Sequence, residues 1–195
     1  MLPQLNLPWL LVATPQLLDP HFAKTVVLVI EHGPDGSMGF VINRPLPMNQ
    51  RDANFQNRYD IPAHIPVWVG GPVGSHKGAV IHNQGADPTA TTSSGNLRIS
   101  TSGEALEGLV HFIEADEEEL RMEGSSLLPY RFVIGYAGWG PKQLDQELKG
   151  GAWIQRPFDA KLIFDTPWQE IWERAVEDLG VSPLEIAPTV QNYLN

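Results

Sequence analysis

A chain of 195 residues with 42% hydrophobic and 18% charged residues has the composition of one globular domain, and it excludes a disordered or membrane-embedded class. Thirteen Lys and Arg against 23 Asp and Glu leave a formal charge of −10 with no basic cluster, so direct binding of nucleic acid is not expected. With no cysteine there is no disulfide, thiol nucleophile or thiolate metal site, and the cytoplasm is the expected compartment.

The apolar start, Leu5 to Val12, lacks a preceding basic residue and is interrupted by Pro8. It therefore reads as a strand of the fold and not as a signal peptide. No apolar run approaches the roughly 20 residues needed to cross a bilayer, so no membrane partner is expected. Leu17 to Phe22 make a turn around Asp19-Pro20. Thr25 to Ile30 is a β-branched run of the kind covered on both faces, and Met38 to Ile42 is a second apolar run. The Gly/Pro/Asp chemistry of Glu31 to Ser37 joins the two as a hairpin.

Residues 45–66 form a long, proline-interrupted irregular segment. Short strands are expected at Val67–Val69 and Ala79–Ile81, flanking the glycine-rich Gly70 to Gly78, and another at Leu97–Ser100. Thr101-Ser-Gly-Glu104 matches a capping box, followed by an apolar stripe through Ile113, and the acidic run Glu114 to Glu123 is expected to fray into solvent. A strand at Phe132–Tyr136 leads into a helix opened by Pro141 and closed by Gly150-Gly151. A strand is expected around Lys161 to Phe164. Thr166-Pro167 then caps a last helix with apolar positions Trp168, Ile171, Trp172, Ala175, Val176 and Leu179, ended by Gly180. The sum is a mixed sheet with hairpins and a few packed helices, in one domain over residues 1–195.

Residues with chemical potential are scattered. Gly33, Gly36 and Gly39 lack the strand–turn–helix context of a dinucleotide fingerprint and read as hairpin punctuation. Gly70 and Gly71 open a loop whose N–H groups could form an anion nest, with His76 and Lys77 adding positive charge. A tight turn is the structural alternative. None of the six histidines has zinc-protease spacing, and convergence of His32, His76 and His82 would have to be tertiary, so neither a metal site nor a cofactor is expected.

Asn43-Arg44-Pro45 stands directly after a buried run. Arg44 there could clamp a carboxylate or phosphate, with an ion pair as the alternative. Trp139 could stack on a ligand, although core packing is the usual role of such a residue. Pairing of the hairpin brings His32 near Met38, so His32 joins Asn43 and Arg44 only if the sheet curls.

The segment Gly135-Tyr-Ala-Gly-Trp-Gly-Pro-Lys142 through Gly150-Gly-Ala-Trp153 resembles the signature of the YqgE/AlgH family of small bacterial proteins. Leu18-Asp-Pro20, Glu31-His32, Gly36-Ser-Met-Gly39, Asn43-Arg-Pro45, Gly70-Gly-Pro72, Leu97-Arg-Ile-Ser100 and Asp165-Thr-Pro167 extend the resemblance over nearly the whole chain. The resemblance implies an α+β fold with a bent mixed β-sheet, partly barrel-like. It supplies no catalytic residues. Family members are sometimes labelled transcriptional regulators, but the helices here carry no basic recognition positions.

The expected function is a cytoplasmic binding or regulatory module without DNA binding of its own, its partner a protein or a small anionic ligand. The alternative is an enzyme acting on a small anionic substrate near His32, Asn43, Arg44 and His76. The candidate ligand-binding residues are His32, Asn43, Arg44, Gly70, Gly71, His76 and Trp139.

Overall fold

The computed structural model describes residues 7–51, 55, 58–59, 61–62, 65–83, 92–94, 97–101, 103–108, 110–111 and 130–178. The acidic run 114–123, Leu179 and Gly180 lie outside the described residues.

The strands are β1 (Trp9–Ala13), β2 (Val26–Gly33), β3 (Gly36–Val41), β4 (Val67–Val69), β5 (Val73–His82), β6 (Thr92–Ser94), β7 (Leu97–Ser100), β8 (Tyr130–Trp139) and β9 (Trp153–Pro157). Eight of them follow the order β6-β7-β5-β8-β3-β2-β1-β9, and β4 adds to β8 in parallel. Every other pairing is antiparallel. The fold is thus α+β on a mixed sheet. Its described path is open at β6 and β9, so the bend stops short of a closed barrel.

Strict alternation builds the β1–β2–β3 part. Leu10, Val12, Val26 and Leu28 enter one apolar cluster, while Trp9, Leu11, Val27 and Val29 enter another on the opposite face. Both faces are buried, which is why the sequence shows continuous apolar runs there. The first cluster is roofed by the helices Ala160–Phe164 and Ile171–Glu177 through Leu162, Phe164, Ile171, Trp172 and Val176. The second is roofed by the helix Gln143–Lys149 through Leu144.

β8 joins two half-sheets and changes phase in doing so. Before the middle of the strand, Val133 belongs to the first cluster and Phe132 to a third one; after it, Tyr136 packs on the first cluster and Ala137 enters the second. The odd and even positions have exchanged faces. Gly135 makes the exchange, at φ +70, a left-handed value that only glycine adopts without strain. Gly71, at φ +154, lies against the same place: a Cβ there would stand 2.2 Å from the Tyr136 carbonyl carbon. A Cβ on Gly135 would stand 2.6 Å from the Gly71 oxygen. The junction is built by close backbone approach.

Several elements differ from the sequence reading. Gly70 to Gly78 is not a loop between two paired strands: β5 already begins at Val73, and β4 and β5 lie on either edge of β8. Lys161 to Phe164 is helical because Asp159 caps it, its carboxylate accepting from the N–H groups of Lys161 and Leu162 at 3.0 and 3.2 Å. The strand in this region is β9, which the sequence reading omitted. The helix after Gly140 starts at Gln143, not at Pro141, with Lys142 at φ +62 before it. The last helix starts at Ile171, leaving Trp168 outside it and 38% exposed. The segment after Thr101 is helical over 103–108, as its capping box implies.

Candidate functional site

The structure separates the seven sequence-derived candidates. His32 pairs with Ser37 at the turn end of the β2–β3 hairpin, whereas Val27 pairs with Val41 at the other end, beyond which Asn43 and Arg44 follow. The curl that would unite them is absent. His32 donates or accepts at Nδ1 with the Ser37 hydroxyl at 2.8 Å, and its Nε2 lies 3.7 Å from the Asp145 carboxylate. Its ring stands edge-on to Trp9.

Asn43 and Arg44 are occupied by their own chain. Asn43 accepts from the Val26 N–H at 2.9 Å and donates to the Lys24 carbonyl at 3.0 Å, replacing a missing rung of sheet. The Arg44 guanidinium donates to the carbonyls of Pro20, His21 and Ala23 at 2.8, 2.7 and 3.3 Å, pinning the turn before β2. Burial lowers its pKa, with nearby Asp19 opposing. A carbonyl cage, and not the expected ion pair, is its structural role.

Gly70 and Gly71 serve the β8 junction: the Gly70 N–H donates to the Ile134 carbonyl at 2.7 Å, and a Cβ on Gly70 would stand 2.3 Å from the Gly135 oxygen. Trp139 is buried, and its indole donates to Glu147 at 2.9 Å. Trp153 donates to the same carboxylate oxygen at 2.8 Å. With Phe22 stacked on Trp139, this aromatic group is core.

His76 alone among the seven lines the largest described cavity. Val73 pairs with Tyr136 and Gly78 with Ile134, so five steps along β5 span two steps along β8. The intervening residues Gly74-Ser-His-Lys77 bulge from the sheet, and His76 and Lys77 among them wall a cavity of about 680 Å³. Phe132, Tyr136 and Tyr59 supply its aromatic lining, and Arg58, His76 and Lys77 supply its polar rim. No Asp or Glu stands among its described lining residues.

Gly78 allows this lining: a Cβ there would stand 2.8 Å from the Phe132 ring and 3.1 Å from that of Tyr59. Lys77 Nζ lies 6.0 Å from the Tyr136 ring centroid, within cation–π range. Burial raises the Tyr59 pKa, and the adjacent Arg58 opposes the rise. The cavity is thus a cationic, aromatic recess on an acidic protein. Among the described residues, no group of three His, Asp or Glu is arranged to hold a metal ion.

A family model described as AlgH-like matches residues 10–184. The chain belongs to the AlgH-like family. It is 38% identical over 176 residues to a UPF0301 protein of Stutzerimonas stutzeri, covering 88% of this chain and 87% of that one. It is 36% identical over 189 residues to a UPF0301 protein of Idiomarina loihiensis, covering 93% and 95%. The solution structure of AlgH from Pseudomonas aeruginosa matches the whole of both chains with a TM-score of 0.66 and 31% identity. An X-ray structure of a Corynebacterium diphtheriae protein shares the fold at TM-score 0.61 and 22% identity, over 97% of this chain and 92% of that one. The bent α+β sheet is therefore an AlgH-like fold.

The sequence reading missed Arg58, Tyr59 and Tyr136 as cavity residues. Gly70 to Gly78 did carry a signal, since four glycines stand around His76 and Lys77. Phe132 and Tyr136 reach the cavity from β8 and Tyr59 from the segment before β4, positions that no local sequence pattern links.

Proposed function

We propose that this AlgH-like chain is a cytoplasmic binding module that takes a small organic anion with an aromatic or apolar body into the cavity under the β5 bulge. The carrying observation is a recess of about 680 Å³ rimmed by Arg58, His76 and Lys77 without a described carboxylate, on a chain of net charge −10. A cavity of this size is in the range of small-ligand sites, which combine apolar walls with a few polar groups. The dispersal of His32, Asn43, Arg44 and His76 favours binding over catalysis at that foursome.

Direct binding of duplex DNA is not part of this function. Arg44 is committed to carbonyls and Arg156 and Arg174 to carboxylates, which leaves little of the positive surface that phosphate contacts require. No helix among the described residues is long and apolar enough to cross a membrane.

Anilinonaphthalene sulfonate, an aromatic anion, tests the proposal. The native chain should show saturable fluorescence enhancement, with affinity falling about tenfold, ~1.4 kcal/mol, in Lys77→Glu and in Arg58→Glu. Near-ultraviolet circular dichroism should be unchanged, which separates pocket binding from uptake by a loosened core. Absence of saturable enhancement, or native affinity retained in both variants, contradicts the assignment.

A further inference from the structure

Arg131 stands where the alternation of β8 calls for a core residue, next to Val133 in register, and it is 4% exposed. Its guanidinium lies 4.4 Å from the Trp68 ring centroid, and Nη2 donates to the Ile163 carbonyl at 2.6 Å. Its Nε is buried without a hydrogen-bond partner, and no carboxylate among the described residues forms an ion pair with it. Burial lowers its pKa to about 10, which leaves it charged at neutral pH. A buried charge is ordinarily paired, because removing it from water is costly. Here one carbonyl and one aromatic face are all that the described fold provides.

The missing counter-charge has a place to bind. A cavity of about 340 Å³ is lined by Arg131, Arg51, Trp68, Thr166, Trp168 and Gln169, and its described lining contains no Asp or Glu. Arg51 donates from Nη1 to the Ile65 carbonyl at 2.8 Å, and burial lowers its pKa as well. Two arginines thus line one small recess, and an anion bound there would supply the counter-charge that Arg131 lacks. Guanidinium forks suit the oxygens of carboxylate and phosphate, and a Trp168 indole 38% exposed offers an apolar wall. This recess shares no described lining residue with the cavity under the β5 bulge.

We infer that the recess between β4, the start of β8 and residues 166–169 is a second site, which binds a small oxyanion, phosphate or carboxylate, between Arg131 and Arg51. Its order in the chain explains why it needs the fold: Arg51 precedes β4, Trp68 lies on it, Arg131 opens β8, and Thr166 to Gln169 precede the last helix.

The side-chain Nε–H resonance of Arg131, assigned by its loss in Arg131→Lys, reports directly on the bare donor. The full chain is titrated with inorganic phosphate and, separately, with acetate, chloride replacing them at equal ionic strength. A saturable shift of that resonance with either anion supports the site, and the anion that produces it identifies the oxyanion. Arg51→Ala, which leaves Arg131 in place, should weaken the binding about tenfold, as expected for loss of a charged hydrogen-bond partner. The inference is overturned if neither anion moves the resonance, or if the shift saturates equally in Arg51→Ala. The outcome is independent of the β5 cavity, since Lys77→Glu and Arg58→Glu should leave it unaltered.

Discussion

The two half-sheets joined at Gly135 differ in how completely they are filled. On the β1–β2–β3–β9 side, Trp139 and Trp153 share one Glu147 oxygen, Asn43 completes a missing rung, and Arg44 is held by three carbonyls. On the β4–β5–β7 side, β5 bulges away from its partner, a cavity of about 680 Å³ opens, and Arg131 keeps a bare Nε. In the first half Glu147, Asn43 and Arg44 hydrogen-bond to the chain itself, and the recess that Asn43 and Arg44 line is the smaller, about 260 Å³. The polar groups of the second are left facing space, which is where a partner can be recognised. A conspicuous polar motif is therefore a poor guide to function until its hydrogen bonds have been traced.

The comparison fails first if its hinge is not required. Gly71→Val combines a left-handed φ with a Cβ that would stand 2.2 Å from the Tyr136 backbone, so a loss of about 4 kcal/mol or more is expected, or no folded protein. Denaturant melts and soluble yield measure it, and near-native stability would mean that the two halves are not locked together there. Trp172→Ala should cost about 3–5 kcal/mol, since it empties a buried indole site and removes the 2.7 Å bond to the Ala13 carbonyl. A loss below about 1 kcal/mol would place the last helix off the sheet.

Smaller effects sharpen the contrast. Glu147→Ala strips the acceptor from two indole N–H groups and should cost about 2–4 kcal/mol in the same melts. Arg44→Ala should cost about 1–3 kcal/mol by freeing the turn at Pro20 to Ala23, while leaving binding of anilinonaphthalene sulfonate unaltered. If instead Arg44→Ala abolished that binding at constant stability, the filled half would carry the function.

Much of the filled half was legible in the sequence. Continuous apolar runs marked β2 and β3, glycine and proline marked their turn, and the helical stripe marked Ile171 to Val176. β9 was not, because Trp-Ile-Gln-Arg-Pro is too short and mixed to signal a strand before β1 pairs with it. Lys161 to Phe164 was misread because the short apolar run Leu162-Ile-Phe164 fits helix or strand, and Asp159 decided the matter through its capping bonds.

The site was less legible. His76 lay in a glycine-rich segment that local chemistry could flag. Arg131 could not be flagged, since its burial arises from the parallel pairing of β4 with β8 and from a helix more than thirty residues later in the chain. Asn43 and Arg44 misled for a related reason: their acceptors lie some twenty residues earlier, in a turn that shows no sequence sign of needing them.

The claim that recognition belongs to the open half is tested most directly by amide chemical-shift mapping during titration with anilinonaphthalene sulfonate. Saturable shifts are predicted at Gly74 to Gly78, Phe132 and Tyr136, with the amides of His32, Asn43 and Arg44 unmoved. Shifts centred on His32 and Ser37, or on Asn43 and Arg44, with the β5 bulge silent, would contradict it.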